Sequence, residues 1–113
     1  MKYVQVVNTK NNTVLADKVG VADTFLLRLK GLLGRKSLEA GEGLVLYPCS
    51  SIHCYGMKFA IDAIFLDENK KVLALYSWLE PGQTAKVPRA KYVLELGAGS
   101  ACFDVEIGDI LEF

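Results

Sequence analysis

A surplus of charge of one sign is the first thing this chain lacks. Its 113 residues carry 13 Lys plus Arg against 13 Asp plus Glu. The attraction that dominates nucleic-acid or anionic-membrane binding therefore has no global source, which argues against both partners. Counted by halves, residues 1–56 hold seven basic and four acidic side chains and residues 57–113 six and nine, an asymmetry that ordinarily balances within one fold. Long apolar runs are also missing. Asp62, Lys70, Lys71 and Glu80 interrupt the most hydrophobic region, short of the roughly 18 apolar residues a membrane span needs. The three cysteines, Cys49, Cys54 and Cys102, are too few and odd in number for a closed disulfide framework, and MKYVQVVNTK places polar residues where a signal peptide needs an apolar core. A soluble protein in a reducing cytoplasm is expected. With 51% hydrophobic residues, no segment is poor enough in them to stay disordered, and the length suits one domain over residues 1–113.

Short apolar runs make up most of what is there. Lys2 to Val7 and Val14 to Val19 flank NTKNNT, whose asparagines tolerate positive φ, so an N-terminal hairpin is predicted. From Asp23 the apolar residues fall at Phe25, Leu26, Leu29, Leu32 and Leu33, the stripe of an amphipathic helix. Asp23 or Thr24 would cap it, Gly34 would stop it, and Arg35 with Lys36 would complement its negative end. After a turn-rich stretch, Leu44 to Tyr47 reads as a strand that Pro48 ends. Ile61 to Leu66 and Val72 to Leu79, joined by DENKK, form a hairpin expected at the centre of the sheet. Glu80-Pro81-Gly82-Gln83 has the proline and glycine of a type II turn, Tyr92 to Leu96 supplies another strand with Glu95 on its alternate face, and ILEF closes the chain as a last strand. With no regular βαβ alternation, the fold class is mainly β: an antiparallel rolled or barrel-like sheet with one principal amphipathic helix against an opening or face.

Several motifs in order carry a resemblance over nearly the whole length. They are Arg28-Leu29-Lys30-Gly31-Leu32-Leu33-Gly34-Arg35, Gly43-Leu44-Val45-Leu46, Pro48-Cys49-Ser50-Ser51-Ile52-His53, Met57-Lys58-Phe59, Ile61-Asp62, Val93-Leu94-Glu95-Leu96, Ala98-Gly99 and Gly108-Asp109. On these the chain resembles the bacterial and archaeal family known as domain of unknown function number 192. The resemblance implies a small β-rich single domain and implies no activity. Cys54 stands where that family commonly has threonine, Gly56 where it often has a bulky residue, Ala60 where proline is usual and Asp104 where glycine is frequent. A nucleophile shared by the family is therefore not implied at position 54.

Chemistry-bearing residues concentrate between Cys49 and Asp62. His53 can exchange protons near neutrality, and with Cys49 or Cys54 as thiolate and Asp62 as orienter it would make a nucleophilic site. Spacing opposes this in a strand, where His53 and Cys54 point to opposite faces and Cys49 lies roughly 13 Å from His53, so a turn is required. The commoner reading is a structural histidine beside buried cysteines that behave as small apolar residues. Cys49, His53, Cys54 and the distant Cys102 lack the paired close spacings of a zinc site, so neither metal nor cofactor is expected. Asp62, within an apolar strand, must be paired, bonded to backbone or facing a cavity, with Arg28 and Arg35 as candidate partners. Gly97-Ala98-Gly99-Ser100 suits a tight turn better than a phosphate cradle, because no helix or lysine follows. Lys86 to Lys91 and the helix charges suit a solvated surface, without a helix-turn-helix or an aromatic RNA-binding signature.

The sequence thus reads as a non-enzymatic accessory module that binds a small ligand or a protein partner. Its candidate pocket is formed by His53, Asp62, Met57 and Tyr55 in the crossover after Pro48. The rival is a small hydrolase or transferase using Cys49 or Cys54 with His53, and a nucleic-acid-binding regulator stands third. The sequence leaves the oligomeric state open, since edge strands such as Lys2 to Val7 carry ordinary edge protection.

Overall fold

Valine-rich alternation and asparagine turns produce the first hairpin: β1 (Lys2–Asn8) and β2 (Thr13–Ala22) pair antiparallel across a turn in which Asn12 takes φ 55°. The computed structural model describes residues 1–100 and 104–113. A short helix, α1 (Phe25–Lys30), follows. β3 (Glu42–Leu46), β4 (Ser51–His53), β5 (Ile61–Leu66), β6 (Val72–Leu79), β7 (Thr84–Lys86), β8 (Tyr92–Gly97) and β9 (Leu111–Glu112) complete the order.

Among the described residues seven strands form one sheet in the order β6-β5-β8-β3-β2-β1-β9, with only the β2–β3 pairing parallel. The β5–β6 hairpin lies at one end of this sheet and not at its centre, which β3 occupies. The sheet curls so far that its ends meet. Lys71 bridges Ile110, the Val72 N–H donates to the Asp109 carbonyl, and the Leu111 N–H donates to that of Lys70. Val6, Val19, Ile64, Leu66, Leu94 and Leu111 fill the inside of the curl. The opposite face buries Leu46, Ile61, Phe65 and Val93 beneath an outer layer, in which the short β4–β7 sheet, α1 and the 49–59 crossover lie. That small sheet was not foreseen from sequence, since strands of three residues fall below any periodicity signal.

Burial on two sides explains the apolar run of β5. All six of its residues are buried because both faces are covered, so alternation gives way to IDAIFL. β3 and β8 approach so closely that a Cβ on Gly43 would stand 2.7 Å from Leu96 Cδ2 and 2.9 Å from the Glu95 carbonyl oxygen, so glycine is needed there.

The helix departs most from expectation. Thr24 caps it, its hydroxyl accepting the Leu27 N–H at 3.2 Å, but it ends at Lys30 with Gly31 in positive φ and tight turns up to Gly34. No residue of α1 itself is buried. Leu27 and, beyond the helix, Leu32 pack inward, while Phe25, Leu26, Leu29 and Leu33 of the predicted core stripe stay exposed.

Phe65→Ala should cost about 3–5 kcal/mol in urea unfolding, because Phe65 is fully buried with its ring edge-on to Tyr76. Leu26→Ala should change stability by no more than about 0.5 kcal/mol, since the side chain is already in water.

Candidate functional site

Two segments that turn sharply leave a cleft between them. One is α1 with its trailing turns to Leu33, and the other is the crossover from Pro48 to Met57, with Leu46 of β3 and Glu95 of β8 beneath. The cleft has a volume of about 330 Å³, at the lower end of the sizes that hold small molecules. Phe25, Leu29, Leu33 and Met57 give it apolar walls, and Arg28 and Lys30 bring positive charge.

Glu95 is the residue on which the cleft is built, and sequence reasoning missed it. Side chains alternate along β8, so Leu94 and Leu96 enter the curl while Val93 and Glu95 face the outer layer. Glu95 pairs with Leu44 on one side and Ala63 on the other, neither of which offers its carboxylate a partner. It is only 7% exposed. Among the described residues no hydrogen bond or ion pair to the carboxylate is found, and the group opens on the cleft. Burial pushes its pKa up to about 7. A lone glutamate inside YVLELG was a signal equal to that of Asp62.

The predicted site residues divide. His53, Tyr55, Met57 and Cys49 all line the cleft. His53 is exposed on β4, its ring 5.2 Å from that of Tyr55, and Cys54 is buried on the opposite side, as adjacent residues leaving a strand require. The Cys49 thiol donates to the Ser51 carbonyl at 3.2 Å. Burial is the largest influence on Cys49 and raises its pKa; the Ser51 backbone lowers it, Glu95 raises it and Arg28 lowers it. Burial, then Glu95, raises the Cys54 thiol. His53 acts on neither. Cys102 lies outside the described residues, and among those residues no group of three or more His, Cys, Asp or Glu is arranged to hold a metal.

Asp62 does not join this cleft. It sits on the other face of β5, where the pairing with β6 slips between Ile61 and Ala63. There its carboxylate accepts the N–H of Trp78 at 3.0 Å, and Trp78 itself takes φ 60°. The carboxylate satisfies a backbone donor that the bulge takes out of the ladder. Neither expected arginine reaches it: Arg35 pairs with Glu42 at 2.9 Å, and Arg28 donates to the Tyr47 carbonyl at 3.2 Å. The cleft therefore has His53 at its wall and Glu95 beneath, and leaves Asp62 outside.

Comparison with known proteins accords with this architecture. The family model of DUF192, described as "Uncharacterized ACR", matches residues 6–113. The chain belongs to the DUF192 family. A UPF0127 protein of Pyrococcus furiosus is 38% identical over 101 residues, covering 85% of this chain and 86% of that protein. The crystal structure of a protein of unknown function from Novosphingobium aromaticivorans superposes with a TM-score of 0.82 at 23% identity, covering 98% of this chain and 84% of that one. One from Sinorhizobium meliloti, described as a candidate transcription regulator, also reaches 0.82 at 19% identity, covering 99% and 95%. At such identities the two structures share the fold with this chain, and the rolled sheet is common to all three. Among the described residues no helix is long and apolar enough to cross a membrane.

Glu95 makes a measurable statement about stability. With its folded pKa at about 7 against the ordinary 4.5, the folded state holds a proton that the unfolded chain has lost, so stability falls as pH rises between those values and the penalty is constant above them. Glu95→Gln removes the titration. From pH 4.5 to 8 the variant should gain on the parent by up to about 3 kcal/mol in urea unfolding, and parallel pH profiles would exclude Glu95 as the titrating group.

Proposed function

We propose that the protein is a non-enzymatic accessory module that binds a small ligand or a partner in the cleft between α1 and the 49–57 crossover. The observation that carries this reading is a single buried carboxylate, Glu95, open to a cleft whose walls are apolar side chains of a helix that buries none of its own. A helix normally covers its apolar stripe against the core, and one that leaves Phe25 and Leu29 at 69% and 64% exposure has surface to give to something else. A few placed polar groups within an apolar wall is the ordinary composition of a binding site.

The rival reading, a hydrolase or transferase built on Cys49 or Cys54 with His53, needs a thiolate at neutral pH. Burial acts against both thiols. A nucleic-acid regulator has the described function of the Sinorhizobium meliloti relative in its favour and the neutral charge balance against it.

Ligand-observed NMR with a library of small aromatic and aliphatic fragments tests the binding reading. Fragments should bind the parent and lose contact with Leu29→Arg, a substitution at an exposed cleft position that the fold tolerates. A library without a single binder that Leu29→Arg displaces would overturn it. Alkylation of Cys49 and Cys54 by iodoacetamide should be slow at pH 7 and unchanged by His53→Ala. Fast alkylation that requires His53 would favour the enzyme instead.

A further inference from the structure

Charge is layered through the cleft in a way that restricts its occupant, and the inference drawn from that layering rests on the binding reading above. At the floor lies Glu95, 93% of its surface removed from solvent, with no partner for its carboxylate among the described residues. Around it stand apolar side chains, Leu46 and Met57 among them, which can satisfy neither a charge nor a hydrogen bond. Farther out, Arg28 and Lys30 add positive charge from the helix, and the exposed His53 adds a ring nitrogen from β4. Arg28 spends one N–H on the Tyr47 carbonyl and keeps its others for a ligand. The cations do not neutralise Glu95, whose ionisation is governed by burial alone.

We infer that the cleft takes a small zwitterion with a hydrocarbon or aromatic spacer, its ammonium bound to the Glu95 carboxylate and its anionic group held outside by Arg28 and Lys30. A cation is the partner that repays an isolated carboxylate for its lost water, while a carboxylate or phosphate placed inward would meet like charge in an apolar surround. A purely cationic ligand would satisfy Glu95 and leave its outer end against Arg28 and Lys30. A purely anionic one would reverse the mismatch. Only a ligand with both signs, separated by an apolar body, matches all three layers.

The titratable and charged groups that line the cleft with Glu95 are Cys49, Tyr55, Arg28, Lys30 and His53, and Glu95 also acts on the thiol of Cys54 behind the crossover. Burial disfavours ionisation of both thiols. The carboxylate of Glu95 gains its charge as pH rises through about 7, so ammonium binding should strengthen over the same interval.

Four related aromatic probes separate the alternatives in calorimetric titrations of the intact protein: 4-(aminomethyl)benzoate with both charges, benzylamine, 4-methylbenzoate and neutral 4-methylbenzamide. The zwitterion should bind most tightly, and about tenfold more tightly at pH 8 than at pH 6. The step with pH should vanish in Glu95→Gln, a shape-conserving change whose folding is checked by its urea transition, and should persist in His53→Gln. Arg28→Gln should remove the advantage of the zwitterion over benzylamine. Tighter binding of 4-methylbenzoate or 4-methylbenzamide than of the zwitterion would overturn the charge assignment while leaving a binding cleft. Failure of all four to bind would overturn both this inference and the binding reading.

Discussion

Burial of β5 and β8 on both faces is the constraint from which the rest of the molecule follows. These two strands lie side by side, with the interior of the curl on one side and the outer layer on the other. Nearly every residue in them is apolar because no alternation to solvent is available. Any polar side chain in the ladder must then be settled locally, and there are two. Asp62 enters the curl side and Glu95 the outer side, in neighbouring rows of the same ladder, so they cannot meet or share a proton. Asp62 is settled by the Trp78 N–H that the bulge in β6 presents to it. Glu95 has only apolar cross-strand neighbours, and its carboxylate opens on the cleft.

The outer layer explains why Glu95 stays open. Its two strands are three residues each, and the helix above them is a turn and a half long. Such short elements cannot close over the sheet as a long helix would. They leave a cleft where α1 and the crossover diverge, with Leu33 close enough to the 54–57 turn that a Cβ on Gly56 would stand 3.1 Å from its Cδ2. The apolar stripe of the helix, which would ordinarily be spent on the core, becomes the cleft wall and an exposed flank. Opposite, the crossover contributes the thiols of Cys49 and Cys54, whose ionisation burial disfavours.

Much of this was legible in the residues. The two hairpins, the turn at Glu80–Gln83 with Gly82 in positive φ, the strand over Tyr92 to Leu96 and the tight turn at Gly97–Ser100 follow from alternation and turn chemistry. Of the two caps the residues offered, Asp23 and Thr24, the structure uses Thr24, whose hydroxyl lies one position ahead of the first helical residue. Helix length was misread because hydrophobic periodicity runs on through Leu33, while Gly31 already leaves the helical conformation. The place of the β5–β6 hairpin was misread because hydrophobicity reports burial on both faces and not position in the strand order; an end strand covered by closure of the curl looks like a central one.

Sequence by itself determined that this chain is β-rich and belongs to the DUF192 family, because alternation, turn residues and motif order are local properties that survive without coordinates. It also put Asp62 in apolar company. Only the tertiary structure decided which side chains share a space. Asp62 and Glu95 have the same apolar flanks, yet strand parity and a one-residue slip in pairing send one to a backbone amide and the other to an open cleft. Facing and register are set by contacts between distant segments, and no local pattern contains them.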